Sequence, residues 1–452
     1  MSRFCWRFRL PGWLFCLAAV TAWGQPSPLT LREAIDRAIG QNPQLMAADA
    51  DVSEADSGVA MARAALLPRL NFAEDISRGN DPVYVFGTKL RQQRFTQGDF
   101  SLDSLNRPTP TGDFVTRASG QWMLLNWLET QRQIRGAQLC AESARSASRA
   151  VNQAVVLQVV EAYQAVLYAE RQSQVAAHDE QTAEALLHDA QTRVKAGLTI
   201  DSDLLGAQVN LSSRQQQTQA AQGALENAWA ELEAAMGSRL DAHPALTPFA
   251  AKAFPAGVLG DDIAAALKAR PDLQALAQQT AAARQGLTAA RSDFLPQVSA
   301  YGNWEMDRAT FAGEGGNNWV AGAQLNLDIL PLGKRAHLEQ AKAAEQKAAA
   351  RQRLEEQQIR LAVSRAYTDH QTAERMVVTA QAAMDESTES LRILRNRYGA
   401  GLATMTDLLR AEDAQRQSQT NYWRAAYDNT LAYAGLLYAT GQLTPESAEN
   451  LQ

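Results

Sequence analysis

The chain has 452 residues, 46% of them hydrophobic and 20% charged, which predicts packed structure in two or three units of ordinary domain size and excludes a disordered polymer. Formal net charge is -6, and -9 once Arg3, Arg7 and Arg9 of the N-terminal segment are removed. No basic patch stands out to neutralise phosphates, so nucleic acid is not expected as a partner.

Those three arginines precede the apolar run Leu14–Val20, and Ala22 and Gly24 supply the small residues of a signal-peptidase site. Residues 1–24 read as a secretion signal. The run is shorter than the about 20 apolar residues needed to span a bilayer. Cys5 and Cys16 leave with it, and Phe15 is too bulky to favour a lipid attachment at Cys16. Cys140 is then alone, so no internal disulfide is expected despite an oxidising destination.

The mature chain is an internal duplication. Arg193–Gln208 recurs as Arg397–Glu412, and at the same offset Ala162-Tyr163 matches Ala366-Tyr367 and Leu232 and Gly237 match Leu436 and Gly441. Upstream, at a longer offset, Pro43 matches Pro271, Arg63 matches Arg291, and Leu67-Pro68 matches Leu295-Pro296. The first repeat covers 25–240 and the second 258–443, with a Pro-rich linker at 241–257 and a tail at 444–452.

Each repeat opens with an amphipathic helix, over 29–66 or 258–294, in which Pro43 or Pro271 kinks or starts the main part. A β-hairpin follows Leu-Pro, over 68–127 or 296–329. Val298, Ala300, Gly302, Trp304 and Met306 alternate with polar residues, and Trp319, Ala321, Ala323, Leu325 and Leu327 do so on the return. In the first hairpin Glu74 falls on the otherwise apolar side, and 78–113, rich in Pro, Gly, Asn and Asp, is expected to be a loop. Very long helices are predicted over 129–196 and 334–398, each about 100 Å at 1.5 Å per residue. Gly197 and Gly401 end them. Return helices run over 203–236 and 407–439, with Ser202 and Asp203 placed to cap the first. No later stretch suits a transmembrane helix, so entry into a membrane must be as β-structure. Four strands cannot close a barrel alone; copies of the chain must complete it, as eight strands from two or twelve from three.

This order of helix, Leu-Pro, hairpin, very long helix, Gly-Leu tip and return helix, twice over 25–443, resembles the outer membrane efflux family of TolC-like channels. The insert with Asp81–Gly87 and Asp99-Phe100 also resembles inserts in that family. The resemblance implies a homotrimer with a 12-stranded β-barrel in the outer membrane on an α-helical barrel in the periplasm. It further implies a passive exit channel for drug efflux or type I secretion. Its partners would be a periplasmic adaptor (a membrane fusion protein) and an inner-membrane pump of the resistance-nodulation-division, ABC or major facilitator type. Neither a cofactor nor enzymatic activity is expected. The runner-up is a periplasmic adaptor or coiled-coil scaffold without a pore, which should carry one helical tip rather than two.

By position, the resemblance places a periplasmic constriction at Ser202, Asp203 and Tyr398, with an acidic ring at Asp407. Ala403 stands where some members carry an arginine of that network, and Arg410 where the family has a second acidic residue. It places adaptor-docking tips at Gly197-Leu198 and Gly401-Leu402. Trp122, Trp127, Trp304 and Trp319 would anchor the barrel at the membrane interface. The five histidines are scattered without metal-ligand spacing, and no metal site is expected.

Overall fold

The computed structural model describes residues 28–125, 127–197, 199–240, 243–248, 254, 255 and 257–451, with the side chain of Trp127 left out. The expected signal segment, Leu198 and part of the linker therefore lie outside the described residues.

The first helical region is two helices, α1 (Leu31–Gln41) and α2 (Pro43–Ala64). Thr30 and Glu33 cap α1 reciprocally, Thr30 Oγ1 accepting from Glu33 N at 3.2 Å and Glu33 Oε2 from Thr30 N at 3.2 Å. Asn42 ends α1 and caps α2, accepting from Gln44 N at 2.8 Å, while Pro43 fills the first helical position where no N–H is needed. The second repeat follows the same plan, with α7 (Leu259–Ala269) and α8 (Pro271–Ser292) divided at Arg270. Both junctions lean on the far end of a return helix. Asn42 Nδ2 donates to Ala235 O at 2.8 Å, and Arg270 Nη1 to Ala439 O at 3.4 Å. The duplication read in the sequence is thus one of contacts too.

Strands β1 (Arg69–Gly79), β2 (Thr111–Leu125), β3 (Gln297–Arg308) and β4 (Gly315–Asn326) form one antiparallel sheet in the order β1-β2-β3-β4. The two hairpins are therefore joined edge to edge, with Ala118 opposite Trp304 and Trp304 opposite Trp319. Between β1 and β2 the expected loop is corrected. It folds as α3 (Pro82–Arg91), a 3-10 turn at Gln97–Phe100 and the short α4 (Leu102–Asn106). The cause is local: Asp81 accepts from Tyr84 N at 2.9 Å as an N-cap, and Pro82 follows it.

The long helices are α5 (Trp127–Lys195, 69 residues) and α9 (Leu332–Gly399, 68 residues), and the return helices are α6 (Asp201–Met236) and α10 (Met405–Ala439). The main core sits partway along them, around Tyr163, Leu31, Ile35, Trp229, Leu232 and Met236. There the linker crosses the body. Leu29 bridges Leu246 in parallel, and Tyr163 Oη donates to Leu29 O at 2.8 Å while accepting from Thr247 N at 3.0 Å. The C-terminal segment is no free tail: it forms α11 (Pro445–Glu449) and buries Ala448 and Leu451 in the same core. No helix among the described residues is long and apolar enough to cross a membrane.

Candidate functional site: hairpin tips and membrane sheet

Both tips turn on a left-handed glycine, Gly197 at φ 71° and Gly401 at φ 73°, with open space where a Cβ would stand. Backbone conformation alone therefore demands glycine there. Leu402 is 70% and Ile200 68% exposed, an apolar pair at the extreme end of the helices. Leu205 and Val209 extend this exposed surface along α6.

The capping expectation is corrected. The N-cap of α6 is Ile200, which has no side-chain cap bond, and Ser202 is exposed in the first turn. Asp203 is engaged by the Thr199 hydroxyl, and with Asp201 it puts negative charge at the positive end of the helix dipole. At the second tip the cap is Thr404. Its Oγ1 accepts from Asp407 N at 3.2 Å, and Asp407 Oδ2 accepts from Thr404 N at 3.0 Å. The Thr404 hydroxyl and backbone hold the Asp407 carboxyl below its usual range, with Arg410 and Arg397 adding electrostatic pull. Arg410 is exposed and makes no contact ion pair with Asp407.

Tyr398 is half-buried against the cluster of Leu186, Ala190, Ala207, Met405 and Leu408, which joins the ends of all four long helices. The Arg193 guanidinium lies 4.8 Å from its ring centroid, and Arg193 is itself held by Asp189 at 2.8 Å. Burial pushes the Tyr398 hydroxyl up, partly offset by Arg193. Among the described residues no hydrogen bond joins Asp203 to Tyr398. Within one chain, the tyrosine meets Arg193 instead.

Sequence reasoning missed the polar seam just behind the tips. Arg214 of α6, with only 7% of its side chain exposed, donates to Asp413 of α10 at 2.6 Å and so fastens one hairpin to the other. Arg395 meets Glu412 at 3.3 Å. Arg214, Arg395 and Glu412 line a cavity of about 360 Å³ together with His178, Asp179 and Glu389. Burial pushes both the Asp179 and Glu412 carboxyls up, against the pull of nearby arginines. One signal was available: Arg214 is the only charged residue between Asp203 and Glu226.

On the sheet, one face carries Leu70, Phe72, Ile76, Trp304, Trp319 and Leu325, all exposed. The other carries Asn71, Asp75, Arg117, Ser119, Asn303 and Glu305, with Arg117 bridging Asp75 at 3.1 Å and Glu305 at 3.5 Å. This is the division expected of a membrane strand between lipid and lumen. Glu74, the misfit on the apolar face, pairs with Arg308 at 3.0 Å and with the Thr116 hydroxyl. Its charge is matched across two strand spacings, a fact no single strand could reveal. Trp122 donates its indole N–H to Leu66 O at 3.0 Å at the helix-proximal end of the sheet. The Trp127 side chain lies outside the described residues. Among the described residues no group of three or more His, Cys, Asp or Glu is placed to hold a metal ion.

An open sheet with an apolar face, set on two hairpins of about 100 Å, defines a membrane channel subunit rather than an adaptor or scaffold. The profile of the outer membrane efflux protein family matches residues 34–238 and 263–442. The chain belongs to that family. It is 24% identical over 462 residues to the alkaline protease secretion protein AprF of Pseudomonas aeruginosa, spanning 98% of this chain and 90% of that one. It is 28% identical to the protein CyaE of Bordetella pertussis, over 94% of this chain and 88% of that one. Among solved structures, the CmeC outer membrane channel of Campylobacter jejuni superposes with a TM-score of 0.80 at 17% identity, covering 92% of this chain and 88% of that one. The protein is an outer-membrane efflux channel, with its sheet in the outer membrane and its helices in the periplasm.

Proposed function

We propose that three copies assemble into one duct that passes substrates, without catalysis, from an inner-membrane pump and a periplasmic adaptor to the outside. The observation that carries this is the pair of open sheet edges. Among the described residues β1 pairs only with β2, and β4 only with β3. Each unpaired N–H or C=O costs several kcal/mol in hydrocarbon, so the edges must be closed by other copies. Two copies would give eight strands, an interior that side chains nearly fill. Three give twelve strands, and the polar face then lines an open lumen.

The periplasmic end is the gate in this reading. Ser202, Asp203 and Tyr398 of adjoining hairpins form the latch, three Asp407 side chains ring the entrance, and Arg410 tempers their preference for cations. The docking surface for the adaptor is the pair of Gly-Leu tips, Gly197-Leu198 and Gly401-Leu402. Trp122, Trp127, Trp304 and Trp319 form the aromatic girdles against outer-membrane lipid. The pump, of resistance-nodulation-division, ABC or major facilitator type, selects the cargo. Fractionation with gel electrophoresis tests the assembly: a heat-modifiable trimer in the outer membrane is expected, and a soluble periplasmic monomer would overturn it.

A further inference from the structure

The insert between β1 and β2 lies across the sheet on its polar face, at the end remote from the long helices. Helix α3 has 10 residues, about 15 Å at the α-helical rise, and four strands about 4.8 Å apart span nearly the same distance. The helix touches all four. Near its start, Tyr84 Oη meets Ser77 Oγ of β1 at 2.8 Å. At its end, Gln92 Nε2 is within 2.8 Å of Asp113 Oδ1, 3.0 Å of Gly112 O and 3.1 Å of Arg308 O, tying it to β2 and β3. Arg91 Nε meets Asp307 of β3 at 3.4 Å, and Arg91 O accepts from Asn318 Nδ2 of β4 at 3.3 Å.

This docking is built. Thr88 and Gln92 are 0% and 2% exposed, and Asp113 and Asp307 beneath them 1% and 0%. A Cβ on Gly316 would stand 1.6 Å from Arg91 O, so only glycine admits the helix end. Gln93 then reverses the chain at φ 56°, the one non-glycine residue with positive φ among the described residues, where an αL stop normally takes glycine. Such a conformation persists only when its surroundings over-determine it. The Gln92 side-chain amide, in its three-oxygen nest, is what does so.

The opposite stripe of α3 is apolar and uncovered. Val83, Phe86 and Leu90 recur at helical spacing and are 79%, 36% and 48% exposed. Phe86 also packs edge-on against Phe95, and Phe95 against Phe100, so the insert is packed as one aromatic unit. With the polar face toward the lumen, this stripe points at the barrel axis.

We propose that α3 is a shutter for the extracellular mouth, completed by the α3 helices of the other two copies meeting stripe to stripe on the axis. It rests on the trimeric reading above. Twelve strands about 4.8 Å apart, tilted about 40°, enclose a backbone diameter of roughly 24 Å. A helix with its side chains is about 10–12 Å thick, so three laid against the inner wall leave no open bore. The stripe carries no charge, so identical copies approach without repulsion, and the contact continues the same edge-to-edge closure that completes the barrel. Gln92 is the pin, and the channel has a second closure at the far end from the tips.

The test uses full-length protein in outer membranes with Cys140 replaced by Ala. Phe86→Cys is expected to cross-link copies under mild oxidation. Ser119→Cys, on the lumen face below the shutter, is expected to resist a bulky, membrane-impermeant maleimide added from outside, and adding Gln92→Ala should raise its labelling severalfold. Heat-modifiable trimer on gels is scored in every variant. Trimer present, with no cross-linking at 83, 86 or 90 and equal labelling with and without Gln92→Ala, overturns the shutter and leaves the duct standing. Absence of trimer from the parent protein overturns both. Should Gln92→Ala fail to assemble, the Phe86→Cys cross-link decides alone.

Discussion

Arg214→Met removes the cation that fastens the two hairpins while keeping the length of its stem. Arg214 is 7% exposed at its side chain and its partner Asp413 57%, so the carboxylate left behind can rehydrate. Breaking a fully buried pair costs about 3–5 kcal/mol, and the exposure of Asp413 lowers this to about 2 kcal/mol. Asp179 sharpens the effect. Its carboxyl is already pushed up by burial and opposed chiefly by Arg214 and Arg416, so losing Arg214 favours its protonation. About 2 kcal/mol shifts an equilibrium about 30-fold. If opening requires the hairpins to part, open probability of the purified channel in planar bilayers should rise by that order for Arg214→Met. Asp413→Asn leaves the buried Arg214 guanidinium without its contact partner, so its rise should be at least as large, and the double variant should fall short of the sum. Intact trimers with unchanged open probability in both single variants would refute the view that this seam resists opening.

Three further outcomes follow from the same geometry. Gly197→Ala and Gly401→Ala face open space and should each cost about 1–2 kcal/mol for the left-handed backbone alone. Gly237→Ala has the same φ, but its Cβ would stand 2.7 Å from Asn42 Cα, so it should lower the trimer dissociation temperature far more; equal effects at the three sites would contradict the packing account. Thr404→Ala should cost about 1 kcal/mol of cap stability, seen as faster tryptic cleavage after Arg397 or Arg410, whereas Ser202→Ala should leave the first tip unchanged. His370 is fully buried between Phe254 and Tyr433 with neither ring nitrogen hydrogen-bonded, and burial lowers its pKa. The unfolded chain then takes up a proton the folded one refuses. The stability is complete above about 6.5 and is lost as pH falls from there through the lowered native value. Dissociation temperature should therefore drop less between about pH 7.5 and about pH 5.5 in His370→Phe than in the parent, and an identical drop would exclude His370 as a source.

What could be read from residues alone was whatever repeats along one chain direction. The two offsets located both hairpins, both glycine turns and both long helices, because periodicity and a missing Cβ act locally. What could not be read depends on partners far apart in sequence. Glu74 looked like an error of alternation until the register brought Arg308 to it. Arg214 and Asp413 belong to different repeats and have no counterparts at the repeat offset, so duplication hid them. The helix in the insert is hidden for a different reason. Asp81-Pro82 adds to a loop-like composition, although an Asp before Pro is also the start of a helix. The sheet beneath it, not propensity alone, holds α3 in place.

The two tips began as equivalent copies, and their difference now bears on which hairpin moves. The second return helix starts with a reciprocal Thr404–Asp407 box, whereas the first starts at Ile200 with only the Thr199–Asp203 contact. The tie between them within one chain is Arg193 over Tyr398, with Arg214 and Asp413 behind it. Asp203 is thus held by one local hydroxyl rather than by a reciprocal box, and in the proposed latch that single contact is what a neighbouring copy must replace. In the proposed latch, the second hairpin is the rigid, capped arm and Asp203 the adjustable contact. In that proposal Arg193 supplies a guanidinium to Tyr398 from the opposite hairpin, where Ala403 has none to offer. Arg193→Gln should consequently loosen the closed tip at least as much as Asp203→Asn in bilayer recordings, and a silent Arg193→Gln would return the latch to Asp203 and Tyr398 alone.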